Sequence, residues 1–140
     1  MRPRNPPRRL QLARRAIAEE ETYVAYHVVR TRDREHPDFL TSFRSRIALG
    51  LPPRTWTQEG ANPEIADGIS AYMTGEAAQE TARAANARGR GFGEYVAEMR
   101  LTGNSGIEIV EWGANGHLTI WGDPLILSQT VTDIYFYTVD

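Results

Sequence analysis

The stretch Gly106–Pro124, GIEIVEWGANGHLTIWGDP, decides how the chain is read. Two short runs of β-formers flank Gly-Ala-Asn-Gly, and Asn115-Gly116 is a strong hairpin signal. A two-residue loop would pair Trp112 with Thr119, and a four-residue loop would pair Trp112 with His117. Side chains alternate with period two along a strand, so both registers produce the same two faces. Ile107, Ile109, Leu118 and Ile120 share one face, interrupted by Glu111 and Gly113. Glu108, Val110, Trp112, His117, Thr119 and Trp121 share the other. The first is a core face. The second combines two indoles, an imidazole, a hydroxyl and a carboxylate, and is where the sequence hints at a site. A three-residue loop would reverse these faces.

Outward from the hairpin, Tyr95–Leu101 is a preceding strand with Tyr95, Ala97, Met99 and Leu101 inward and Glu98 and Arg100 outward. Asp123-Pro124 begins a helical turn over Leu125–Gln129, and Val131–Val139 closes the chain as an aromatic-rich strand. Further back, Thr22–Thr31 is rich in β-branched and aromatic residues and has no plainly polar face, as for a central strand covered on both sides. Gly68 opens a strand over Ile69–Met73, with Ser70 and Tyr72 opposite Ile69, Ala71 and Met73. Thr74 then caps a helix over Gly75–Arg88, whose inner stripe of Ala78, Ala82 and Ala85 calls for close packing. A helix is also expected over Pro37–Leu49, with Phe39, Leu40, Phe43 and Ile47 on one face and Gly50 ending it. Arg54–Asn62 is irregular, and Pro63–Asp67 is expected to make one helical turn. Three late strands in succession, one pair a hairpin, imply an α+β fold. Its sheet would be mixed or mainly antiparallel, of about six strands, with two to three packed helices.

Composition narrows the chemistry. The 140 residues fit one domain, and the absence of cysteine excludes disulfides and thiolate chemistry. The three histidines are widely spaced and offer no metal-binding pair, so no metal site is expected. All 16 basic residues are arginine, and they are unevenly placed. Residues 1–54 carry a net charge of +6 and residues 55–140 a net charge of −8. Residues 1–21 are expected to be a basic arm ending in a marginal helix over Leu10–Glu21, because arginines lie at its start and glutamates at its end, against the helix dipole. Residues 22–140 would form the globular domain. Nucleic acid would be reached only through the arm. No apolar run is long enough to span a membrane, and no secretory signal is visible, so the cytoplasm is the expected compartment.

Gly89-Arg90-Gly91-Phe92-Gly93 has a phosphate-loop composition in the wrong context, because it leaves a helix and enters a strand. A helix cap and connector is the better reading. Glu108 and Glu111 fall on opposite faces and cannot act as a carboxylate dyad.

Several segments occur in an order that resembles a group of small bacterial proteins of uncharacterised role. They are Tyr26-His27-Val28-Val29, Asp38-Phe39-Leu40-Thr41-Ser42, Gly68-Ile69-Ser70-Ala71-Tyr72 and His117-Leu118-Thr119-Ile120-Trp121-Gly122-Asp123-Pro124. More loosely, the chain is similar to compact ADP-ribosyltransferase-type domains. These place a His or Arg on an early strand, a Ser or aromatic pair on a middle strand and often a Glu on a late one. His27, Ser70 with Tyr72, and Glu108 or Glu111 would correspond. The resemblance implies that the early residue holds the nicotinamide ribose, the aromatic stacks on nicotinamide and the glutamate orients the acceptor, with NAD as the bound nucleotide.

The candidate catalytic residues are therefore His27, Ser70, His117 and Glu108, and the candidate ligand-binding residues are Tyr72, Trp112, Thr119 and Trp121. Each has a plainer alternative. His27 would be a core histidine bonded to a backbone carbonyl, Ser70 a small packing residue, and the tryptophans satellite core with their indole N–H groups satisfied. The rival to a nucleotide-handling enzyme is a non-catalytic interaction module, such as an immunity-type or toxin-partner protein, which would present an exposed apolar or acidic patch to a protein partner.

Overall fold

The computed structural model describes residues 14–51, 67–87, 95–112 and 116–136. Its strands are β1 (Arg15–Ala16), β2 (Thr22–Val29), β3 (Ile69–Tyr72), β4 (Tyr95–Thr102), β5 (Glu108–Glu111), β6 (His117–Trp121) and β7 (Val131–Phe136). The helices among these residues are α1 (Pro37–Thr41), α2 (Gly75–Ala87) and α3 (Pro124–Gln129). The strands form one seven-stranded sheet in the order β1-β5-β6-β3-β2-β4-β7. Every neighbouring pair is antiparallel. The fold is α+β with an antiparallel sheet, as the late run of strands implied.

The two faces of the sheet carry separate cores. On one, Ala25, Val29, Ile69, Ala71, Met99, Leu101, Ile107, Ile109, Leu118 and Ile120 pack with Phe39 and Phe43 from the α1 region and Leu127 from α3. On the other, Val28, Tyr72 and Val96 pack with Ala78 and Ala82 of α2. The alanine stripe lets α2 lie close to the strands, and both of those alanines are fully buried. Thr74 caps the helix as expected, its Oγ1 accepting the Ala77 N–H at 3.1 Å. Asp123 does the same for α3, accepting from Leu125 at 2.8 Å.

Two expected helices are changed. Residues 14–21 of the expected arm helix are not helical: Arg15 and Ala16 pair with Ile109 and Glu108 of β5. The adverse charge order explains this, because Glu21 gains more from closing a turn. It takes the Arg15 guanidinium at 2.8 Å and the Ala18 N–H at 3.1 Å. Ile17 is buried in the core beneath.

The helix expected over residues 37–49 is α only over Pro37–Thr41. Continuing it would require the Ser42 carbonyl to accept from residue 46. That carbonyl lies instead against the His27 ring. A second turn follows, in which Ser45 Oγ accepts from Ala48 at 3.1 Å. Gly50 ends this turn at φ +71°, with Leu51 N–H donating to Arg46 O at 2.9 Å. Ile47, expected inside, is consequently exposed. The expectations for Arg54–Asn62, most of Pro63–Asp67, Gly89–Gly93 and the end of the last strand lie outside the described residues.

The hairpin takes the longer of its two expected registers. Glu108, Ile109, Val110 and Glu111 face Trp121, Ile120, Thr119 and Leu118. Trp112 N–H donates to His117 O at 2.9 Å, leaving residues 113–116 between that pair.

Candidate functional site

Three rows of side chains cross β3, β6 and β5 on the face that α2 also covers. Register places Tyr72, His117 and Trp112 in one row and Ser70, Thr119 and Val110 in the next. Trp121 and Glu108 make the third. In the first row the Tyr72 and His117 rings lie 5.6 Å apart at a tilt of 39°. The Trp112 indole donates its Nε1–H diagonally to Thr119 Oγ1 at 2.9 Å, which fixes both groups. Tyr72, Thr119 and Trp121 are buried, whereas Ser70, Trp112 and His117 are half-buried.

Gly68 makes this packing possible. A Cβ there would lie 2.5 Å from Thr119 Cγ2 and 3.1 Å from Trp121 Nε1, so any side chain would push both away. The glycine that opens β3 therefore sets how closely the strand approaches the tryptophan.

The structure thus brings Ser70, Tyr72, Trp112, His117, Thr119, Trp121 and Glu108 to one face of the sheet. His27 is not brought there. Its side chain lies on the opposite face, 9% exposed, with its ring 5.3 Å from Phe43. Nδ1 is 2.7 Å from the Ser70 carbonyl oxygen and Nε2 2.5 Å from that of Ser42. A neutral imidazole donates to one of these oxygens, and only an imidazolium donates to both. Burial holds the His27 pKa below its ordinary value, with the two carbonyls opposing that shift. Both ring nitrogens lie against backbone carbonyls, the geometry expected of a core histidine.

At the edge of the sheet, Arg14 and Arg15 grip the two carboxylates of β5. Arg14 Nη2 lies 3.0 Å from Glu108 Oε1, and its guanidinium sits 4.2 Å above the Trp121 ring. Arg15 Nη2 lies 3.9 Å from Glu111 Oε1, which also accepts from the Tyr23 hydroxyl at 3.0 Å. Burial and the Glu111 carboxylate together raise the Tyr23 pKa well above the usual phenol range. Beside Arg14 opens a cleft of about 330 Å³, lined by Arg14, Ser45, Asp67, Glu108 and Trp121 among others.

Arg14, Ser45 and Asp67 escape a reading of the sequence. Arg14 carries no signal beyond the basic arm, and its place depends on a two-residue strand paired with a partner far along the chain. Among the described residues no group of three His, Asp or Glu side chains is placed to hold a metal ion. No helix among them is long and apolar enough to cross a membrane. Comparison with known protein families, with curated proteins and with solved structures finds no match.

Proposed function

We propose that this protein is a nucleotide-handling domain of ADP-ribosyltransferase-like type, with NAD as the nucleotide and its site on the face that carries Tyr72 and His117. The observation supporting this reading is the pairing of an aromatic ring with an imidazole on adjacent strands, with two hydroxyls, Ser70 and Thr119, in the neighbouring row. Such a site needs stacking area together with one group able to move a proton near neutral pH. Half-buried Trp112 would supply the first and half-buried His117 the second, with buried Tyr72 packed beside His117 and the Trp112–Thr119 bond fixing the indole. In this reading His27 has no catalytic part, since both its nitrogens face backbone oxygens on the other side of the sheet. Glu108 lies two rows away from Tyr72 and faces Arg14.

The test is calorimetric titration with NAD and with ADP-ribose, alongside NAD consumption. His117→Ala is expected to weaken binding about tenfold, the loss of about 1.4 kcal/mol of contact, with its unfolding curve unchanged. His27→Ala, measured well below its melting temperature, should bind as the parent does. Failure of the parent protein to bind either ligand at millimolar concentration would sink the reading.

The interaction-module reading has its own support. Ile47, Leu49 and Leu51 after α1, and Leu125 and Ile126 on α3, are all exposed. Ser45, Ala48 and Pro124 line one cleft, which places the two stretches in the same layer. Exposed apolar groups gathered in one layer suit a protein partner. An Ile47→Asp, Leu125→Asp double variant should lose that partner in a pull-down from the host. Identical proteins captured by parent and double variant would argue against the module.

A further inference from the structure

We infer that the cleft bounded by Trp121, Glu108 and Asp67 is a binding site for a guanidinium group presented by another peptide, and that Arg14 occupies it in cis. The reading above does not enter into this, since neither Tyr72 nor His117 contributes.

Three observations converge on the guanidinium. Trp121 presents an indole face and Glu108 a carboxylate, and these two residues are direct cross-strand partners on β6 and β5. A flat π surface beside an anion selects a planar cation, which stacks on the ring and donates in plane to the carboxylate. Arg14 does both at once, at 4.2 Å from the ring centroid and 3.0 Å from Glu108 Oε1. The seated group therefore displays the chemistry that the surface accepts.

The room beside Arg14 exceeds what that side chain fills. The adjoining cleft of about 330 Å³ is lined also by Asp67 and Ser45, a second anion and a buried hydroxyl. Gly106 and Gly122 line it without side chains. Asp67, a second carboxylate in the lining, disfavours a ligand with its own carboxylate and suits an arginine within a peptide, whose carboxyl is an amide.

Arg14 is also poorly anchored for a permanent occupant. Its strand contributes two pairs, Arg15 with Ile109 and Ala16 with Glu108, and Arg14 lies just beyond them. Its side chain remains 32% exposed. A contact of this kind opens at small cost, because an exposed ion pair contributes about 1 kcal/mol or less. A competing guanidinium can therefore displace it.

The experiment titrates the whole protein with Nα-acetyl-L-arginine methyl ester, following the Trp121 indole N–H by ¹H–¹⁵N NMR. Arg14→Gln keeps most of the stem and removes the cation, and it should bind the ester roughly fivefold more tightly than the parent, the gain expected when a cis contact of about 1 kcal/mol no longer competes. Arg14→Lys should fall between the two, since it retains charge without the plane. Adding Glu108→Gln to Arg14→Gln should abolish the gain. Free L-arginine serves as the second arm: weaker binding than the ester identifies a peptide as the source of the guanidinium, and tighter binding identifies the free amino acid. Equal affinity in the parent and Arg14→Gln would overturn the proposal, as would a gain that survives Glu108→Gln.

Discussion

Strand β2 is held very differently on its two sides. Toward β4 it forms an unbroken ladder of eight residue pairs, from Thr22 with Thr102 to Val29 with Tyr95. Toward β3 it forms a single pair, Tyr26 with Tyr72. Continuing that register would set Val28 against Ser70. In its place the His27 ring meets the Ser70 carbonyl. The sheet is thus two half-sheets, β1-β5-β6-β3 and β2-β4-β7, meeting at a seam where one side chain stands in for a run of backbone hydrogen bonds. The same ring meets the Ser42 carbonyl and so ties the seam to the end of α1. The lesson is that continuity in a sheet is local: one strand can belong fully to one neighbour and barely to the other.

The most direct way to break this contrast is His27→Ala. Losing the ring would leave a cavity and one carbonyl without its donor, at about 3 kcal/mol. Denaturant unfolding measures the loss. Hydrogen exchange should then show β3 and β6 amides losing protection while the β2–β4 ladder keeps its own. Equal loss on both ladders would mean that the seam is not a boundary.

Gly68→Ala tests the grip of β3 on its other neighbour. The added methyl would meet Thr119 Cγ2 and the Ile120 carbonyl, at 2.5 and 3.0 Å. A destabilisation of about 2 kcal/mol is expected, again read from denaturant unfolding. A neutral outcome would show that β3 can shift away from β6 without harm.

Acid sharpens the contrast further. The His27 pKa is lowered in the folded protein from its ordinary 6.5, chiefly by burial. Below that pH the unfolded chain binds a proton that the folded chain resists. Stability is therefore complete above about 6.5 and falls as pH drops, by up to about 1.4 kcal/mol per pH unit. His27→Gln should flatten this stretch of the pH profile. Stability that rises on acidification would instead mean that an imidazolium donates to both carbonyls.

The smallest effect is expected from Trp112→Phe, which removes the bond to Thr119 within one half-sheet. About 1 kcal/mol is expected, with the seam's hydrogen exchange unchanged.

Much of this architecture was legible from local signals. The hairpin faces followed from side-chain alternation, the α2 cap from Thr74 and the start of α3 from Asp123-Pro124. The shared face of Trp112, His117, Thr119 and Trp121 followed from the hairpin alone, and its extension to Ser70 and Tyr72 required only that β3 pair with β6. The seam was not legible. His27 acts on two backbone carbonyls, 15 and 43 residues away, and no pattern of side chains announces a carbonyl. The early end of α1 was hidden for the same reason, because a distant ring takes the oxygen that the next helical turn would need. Arg14 and Arg15 were misplaced because helical composition outweighed a strand too short to show alternation.

The pairing of β1 with β5 has a consequence for how the molecule assembles. Arg14 and Glu108 are separated by 94 positions, so this strand can dock only after a very long loop has closed. The hairpin of β5 and β6, by contrast, is a local event that can form early. Substitutions in β1 should therefore leave the rate of folding almost unchanged and speed unfolding. Arg14, Arg15 and Ala16 would be the last residues to arrive and the first to leave.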